Sequence, residues 1–188
     1  DGMLYAVRTV EDDRKRRLLW GQILETRSKE QIVSSGWSNM QSLPRVLEMD
    51  SDGGLHTSPA PELRLLRSRH MRGGPAELAP GNSMPYGAVK IFESICGTTV
   101  EILATLELHS AEQGGLVVFC APDFREFTLI MIDRTRETLV VANRTMSENL
   151  SIGGGQPLPG DSLTSFTACG NTVTLDVFLD RSVLEVFA

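Results

Sequence analysis

The chain has 188 residues, 41% of them hydrophobic and 22% charged, a balance that lets a globular protein bury a core in one or two domains. A formal net charge of −6 and a sequence pI of about 5.1 exclude the clustered positive field that nucleic-acid binding needs. Apolar runs such as Gly115–Ala121 are too short to span a membrane, and Cys96, Cys120 and Cys169, with no Cys-x-x-Cys spacing, exclude a zinc or redox motif and read as buried free thiols.

Residues 3–10 and 17–25 read as two strands joined by a charged turn over 11–16. In that turn the basic cluster Arg14–Arg17 follows Glu11, Asp12 and Asp13, the composition of a solvated hairpin tip. Residues 26–36 are polar and read as a loop. Trp37 to Met49 reads as a strand interrupted by Pro44, and Ser51-Asp-Gly-Gly54 as a hairpin turn. Pro61–Arg67, with Pro at its start and Leu63 and Leu66 three apart, predicts a short helix. Residues 68–85 hold Gly73-Gly-Pro75, Pro80-Gly-Asn82 and Pro85, and read as a connection between two units.

From Tyr86 onward the pattern is β. Val100, Ile102, Ala104, Leu106 and Leu108 alternate with Glu101, Thr105, Glu107 and His109, the signature of a half-buried strand. Runs 115–121, 126–132, 138–142, 163–169, 172–179 and 182–187 follow, with Gly170-Asn171 as a tight turn. Many short strands punctuated by turns predict an antiparallel sandwich. The last ten residues alternate as a strand with no turn or polar tail after it, and Asp1-Gly2 leads straight into an apolar strand. The expectation is a piece of a longer protein.

Chemistry-bearing residues are sparse. His56, His70 and His109 are isolated and read as surface or loop histidines, and Gly153-Gly-Gly155 lacks the residues of a phosphate cradle. Asn143-Arg-Thr145 and Asn149-Leu-Ser151 are glycosylation sequons that matter only in a secreted eukaryotic protein. Among the acids Glu25, Glu62, Asp176, Asp180 and Glu185, no spacing makes a catalytic pair of the kind sugar hydrolysis needs. Glu62 decorates a helix start, and Asp180-Arg-Ser182 reads as a turn. Glu25, at the end of an apolar strand, is the acid placed to face a pocket, although spacing alone favours a plain strand-end carboxylate. Trp20 and Trp37 fall in the first unit with Tyr5. Aromatic rings can stack on the C–H faces of sugars, but Trp20 sits in a run that reads as core, while Trp37 fits either role.

Five segments in order carry a resemblance. They are Asp1-Gly2 with Tyr5-Ala6 and Thr9, then Arg16-Arg-Leu-Leu-Trp-Gly21 with Glu25, then Gly36-Trp-Ser38 with Ser42-Leu-Pro-Arg45. Pro59 with Glu62-Leu63 and Leu66-Arg67 follows, and last Leu179-Asp-Arg-Ser-Val-Leu-Glu-Val-Phe187. Together they resemble glycoside hydrolase family 32, the invertases, levanases, inulinases and related β-fructofuranosidases. The resemblance implies an all-β protein: the end of a five-bladed β-propeller with a linker helix (1–67), a linker (68–85) and a C-terminal antiparallel β-sandwich (86–188), incomplete at both ends. It implies a retaining glycosidase that cleaves β-fructofuranosidic bonds of sucrose or fructans through a covalent fructosyl-enzyme, with no metal or organic cofactor.

The family's Asn-Asp-Pro-Asn-Gly, Arg-Asp-Pro and Glu-Cys segments, which carry its catalytic acids, do not occur in this sequence. Those acids are expected upstream of Asp1, no residue here is assigned a catalytic role, and the chain alone is expected to be inactive. The matched positions assign Glu25, Tyr5 and Trp37 to substrate binding. Gln22 stands where the family commonly has Trp, a change at the pocket rim. A fructosyltransferase and a stand-alone carbohydrate-binding sandwich module remain open as alternatives. Compartment and oligomeric state are not assigned.

Overall fold

The computed structural model describes residues 4–25, 27–78, 97–145, 162–165 and 170–188. The first two apolar segments pair as an antiparallel hairpin, β1 (Leu4–Glu11) and β2 (Arg17–Ile23). Its turn forms because the Asp12 carboxylate accepts the backbone N–H groups of Arg14 and Arg16 and also Arg16 Nε. The basic cluster lies in the exposed hairpin tip expected of it, with Arg14, Lys15 and Arg17 all exposed. Arg14 and Arg16 both donate to Glu62, Arg16 Nη2 at 2.7 Å, because Glu62 opens the 3-10 helix Pro61–Leu66 and brings a carboxylate to the tip.

Pro44 splits the following segment into β3 (Met40–Gln41) and β4 (Arg45–Met49), and the Asp50–Gly54 turn leads into β5 (Leu55–Pro59). Gly53 takes the left-handed conformation there, at φ +85°. The sheet order is β1-β2-β4-β5, with β3 also paired to β2. Among the described residues no strand pairs with the outer side of β1, where Tyr5 is 62% exposed and Val7 and Val10 are exposed too.

Residues 26–36 are not a loop throughout. Lys29–Ser35 is a helix, α1, between Ser28 and Gly36. Ser28 Oγ accepts the Gln31 N–H, the Gln31 side chain accepts the Ser28 N–H, and Gly36 closes the helix in the left-handed conformation. Two satisfied ends offset the lack of a buried apolar face, for α1 buries no residue.

The remaining strands form two antiparallel sheets packed face to face. One holds β7 (Gln113–Val118), β8 (Glu126–Asp133), β9 (Thr138–Thr145) and β10 (Ser162–Ser165), in the order β10-β9-β8-β7. The other holds β6 (Thr99–Glu107), β11 (Thr172–Asp180) and β12 (Val183–Phe187), in the order β12-β11-β6. Ile130, Ile132, Val118 and Leu139 from the first meet Val173, Leu175, Val177 and Leu179 from the second. Each such buried side chain contributes roughly 1.5–3 kcal/mol. The inward alternation of Val100, Ile102 and Leu106 on β6 is as expected. At Gly115 a Cβ would lie 1.9 Å from the Ile130 carbonyl oxygen, so only glycine permits the close approach of β7 to β8.

The chain leaves β7 at Val118, and Phe119 turns at φ +49°. Cys120 is therefore exposed, contrary to the buried thiol expected of it. Cys96, Cys169, Asn149 and Gly153–Gly155 lie outside the described residues, as do 166–169 of the expected strand 163–169, while Asn143 lies in β9. Asp180-Arg-Ser182 is the hairpin turn between β11 and β12.

Among the described residues, the first sheet and the sandwich meet through a buried ion pair. Arg45 of β4 and Glu185 of β12 are 5% and 6% exposed. Arg45 Nη2 donates to Glu185 Oε2 at 2.7 Å, the Leu43 N–H donates to Oε1 at 2.7 Å, and the Arg45 guanidinium lies 4.9 Å from the centre of the Phe187 ring. A second tie joins Arg67, just past the 3-10 helix, to Glu101 of β6 by a two-pronged contact. Removing one partner of a buried pair leaves the other charge uncompensated, which typically costs about 3–5 kcal/mol. Glu185→Ala is accordingly expected to lower unfolding free energy by about that amount in chemical denaturation, and Arg45→Met with Glu185→Leu together by less than the single change. A loss of under about 1 kcal/mol for Glu185→Ala would show that the buried pair contributes little to the joint.

Candidate functional site

The start of β1, the end of β2 and β3 share one end of the first sheet, because Leu4 pairs with Ile23, Tyr5 with Gln22 and Met40 with Ile23. β2 stops at Ile23, so Glu25 projects from the segment that follows the strand. Two fixed points hold β3 there. The Gly21 N–H donates to Ser42 Oγ at 3.0 Å, and the Ser42 N–H donates to the Gly21 carbonyl at 2.8 Å.

Around this end runs a network of polar contacts. Glu25 Oε1 accepts Arg27 Nε at 2.8 Å and the Arg27 backbone N–H at 3.1 Å. Its Oε2 accepts Arg27 Nη2 at 2.5 Å and the Asn39 backbone N–H at 3.3 Å. Arg27 also donates to Ser35 Oγ at 2.8 Å and to the Trp37 carbonyl at 3.2 Å, and its guanidinium sits 3.8 Å from the centre of the Trp37 ring. Gln22 Nε2 donates to Asn39 Oδ1 at 2.6 Å. Beside the network lies an open groove of about 420 Å³ lined by Ala6, Arg8, Trp20, Gly21, Gln22, Asn39, Met40 and Gln41.

Of the three residues assigned to substrate, Glu25 and Trp37 are brought together by Arg27. Trp37 remains 41% exposed. Tyr5 reaches the same end through its pairing with Gln22, whose side chain leads to Asn39 and so to Glu25. Trp20, which reads as core, is half-buried and borders the groove. The other acids lie apart from this end. Glu62 holds the hairpin tip and Glu185 the joint, while Asp180 accepts the Thr99 hydroxyl at the β11–β12 turn. Asp176, on β11, is half-buried, one of its oxygens has no hydrogen-bond partner among the described residues, and burial pushes its carboxyl up. His56, His70 and His109 are all exposed. Among the described residues no group of three His, Cys, Asp or Glu is placed to hold a metal ion, and no helix is long and apolar enough to cross a membrane.

Arg27 and Asn39 are the residues of this end that sequence reasoning passed over, while Gln22, noted there as a departure at the pocket rim, holds Asn39. The signal for their arrangement was present in Ser28-x-x-Gln31 followed by Gly36, a helix start and stop that brings Ser35 and Trp37 back over Arg27. The electrostatics limit the chemistry. Arg27's hydrogen bonds hold the Glu25 carboxyl at about 2, below its ordinary 4.5, against the opposing effect of burial. A carboxylate ionised throughout the neutral range cannot serve as a general acid there; it can anchor and orient.

Comparison with known proteins agrees in both units. The family model described as "Glycosyl hydrolases family 32 N-terminal domain" matches residues 1–59, and "Glycosyl hydrolases family 32 C terminal" matches residues 74–188. The chain belongs to glycosyl hydrolase family 32. Among curated relatives, a fructan 1-exohydrolase of Bromus pictus is 24% identical over 99% of this chain and 36% of its own length. An insoluble β-fructofuranosidase of Oryza sativa, isoenzyme 6, is 26% identical with the same coverage. A sucrose-6-phosphate hydrolase of Zymomonas mobilis is 28% identical over 97% of this chain and 32% of its own length.

Two solved structures share the fold. Fructan 1-exohydrolase IIa of Cichorium intybus has a TM-score of 0.74 at 19% identity, covering 98% of this chain and 40% of the other. An exo-inulinase of Aspergillus awamori has a TM-score of 0.68 at 18% identity, covering 98% and 35%. The chain thus spans about a third of the length of the curated relatives it matches.

The depressed Glu25 carboxyl sets a pH dependence. Its folded value lies below its unfolded one, so the contact stabilises fully above about pH 4.5 and is lost as pH falls towards 2. Melting temperatures of the native protein and Glu25→Gln should differ by a constant amount above pH 5 and converge as pH approaches about 2. A difference that does not change with pH would show that Arg27 does not stabilise the ionised form.

Proposed function

We propose that this chain is part of a retaining glycosidase that hydrolyses β-fructofuranosidic bonds in sucrose or fructans. Residues 1–67 form the last part of a five-bladed propeller with its linker helix, 68–85 a linker, and 86–188 the C-terminal sandwich. The observation that carries this reading is the order of the two family matches, 1–59 and 74–188, on one chain. Relatives named fructan exohydrolase, β-fructofuranosidase and sucrose-6-phosphate hydrolase support the bond type. The outer side of β1, with Tyr5, Val7 and Val10 exposed, suits a blade that neighbours cover in the whole protein.

The reacting carboxylates are supplied by sequence outside these 188 residues, and the end of the first sheet contributes the rim of the sugar site. In that rim Trp37 offers an apolar ring to the C–H face of a sugar, and Tyr5 an apolar wall with a hydroxyl tip. Glu25 completes the rim, and Gln22 in place of a Trp leaves more room beside Asn39.

The full-length protein is expected to release fructose from sucrose or inulin, and the 188-residue chain alone to release none. In the full-length protein Trp37→Ala should raise KM about three- to tenfold with kcat little changed, the loss of one stacking surface. Absence of turnover on both sugars by the full-length protein overturns the reading. Transfer of fructose to a second sugar in place of water assigns the protein to fructosyl transfer.

A further inference from the structure

An ionised carboxylate offers about four acceptor positions, and Glu25 has all of them engaged, three by Arg27 and one by Asn39. A sugar hydroxyl can reach Glu25 only by displacing one of these donors. The next shell runs outward from Arg27. Its planar fork, held on one side by the carboxylate, meets Ser35 Oγ and the Trp37 carbonyl on the other, and its central carbon sits over the indole 3.8 Å from the ring centre. Trp37 stands outside any strand, after the end of α1, so the sheet does not fix its ring. One face of the indole is taken by the guanidinium, and the residue is still 41% exposed.

Resting on the reading that this rim serves a fructoside, we propose that Arg27 is the positioning residue of the sugar platform: anchored by Glu25, it holds the Trp37 indole with one face backed by the guanidinium and the other turned to the apolar face of the sugar. Glu25 then acts on substrate through Arg27 and Trp37 and not by direct contact. Lysine cannot replace arginine in this role. An ammonium keeps the charge but has neither the plane that stacks on the ring nor the fork that engages both carboxylate oxygens.

The test uses the full-length protein with Arg27→Met, Arg27→Lys, Trp37→Ala and the double variant Arg27→Met with Trp37→Ala. Sucrose kinetics are measured on each, together with fluorine NMR of 5-fluorotryptophan-labelled protein, the Trp37 resonance being assigned by its loss in Trp37→Ala. Arg27→Met and Arg27→Lys are each expected to raise KM about two- to fivefold at unchanged kcat and to shift and broaden the Trp37 resonance. The double variant should have the KM of Trp37→Ala alone, since residues acting through one another are not additive.

An unmoved Trp37 resonance in both Arg27 variants overturns the proposal, as does a KM effect that adds in full to that of Trp37→Ala. If Trp37→Ala itself leaves KM unchanged, the sugar-rim reading falls, and the role of Arg27 towards substrate with it. In that case the resonance of Trp37 in the Arg27 variants still decides whether the guanidinium orders the ring. Should Arg27→Met fail to fold, Arg27→Lys carries the same comparisons.

Discussion

The rest of this structure depends on one carboxylate, that of Glu185, buried between two sheets with the Arg45 guanidinium against it. Taking two charges out of water costs several kcal/mol per ion, and only good geometry with further hydrogen bonds offsets it. Here the second oxygen is engaged by the Leu43 N–H, and Phe187 lies under the guanidinium. From that joint the constraint runs on through the chain. Leu43 adjoins Ser42, whose two bonds to Gly21 fix β2 against β3, and the next residues along each strand, Gln22 and Gln41, lie opposite each other. Gln22 then holds Asn39, and Asn39 holds Glu25. A continuous run of contacts thus links Glu185 of the sandwich to Glu25 at the end of the first sheet.

The two units are built on different physics. The sandwich rests on apolar packing: two sheets bury a continuous set of β-branched and leucine side chains, and its β8–β9 turn carries a buried carboxylate, Asp133, served by Thr135, Arg136 and Gln113. The first sheet has few buried apolar residues and is tied at its ends by charge: Glu62 with Arg14 and Arg16 at the hairpin tip, Arg45 with Glu185 at the joint, and Glu25 with Arg27 past the end of β2. A sheet held by its corners keeps its faces available for packing.

Much of the architecture was legible from residues alone. Alternation in 100–108 and 172–179, broken only by Leu103 and Phe178, the Asp-Gly-Gly turn at 52–54 and the break at Pro44 are local signals with local causes, and each produced the element expected of it. Helix α1 was missed because its apolar content is low. Its stability comes from end caps, which hydropathy does not register. Cys120 read as buried because the run before it is apolar, yet a single positive-φ residue, Phe119, takes the chain out of the sheet first.

For the candidate site the division is sharper. The sequence by itself determined that the chain is all-β, that its acids make no catalytic pair by spacing, and that Glu25, Tyr5 and Trp37 fall in the first unit, because strand period, turn chemistry and motif order are properties of neighbouring residues. Only the tertiary structure decided what those residues do to one another. That Glu185 meets Arg45 across 140 positions, that Glu62 closes the hairpin tip from 46 positions away, and that Arg27 lies between Glu25 and Trp37 follow from folded geometry. The physical reason is that a charge chooses its partner by distance and desolvation in the folded state, and neither quantity is written in the order of residues along the chain.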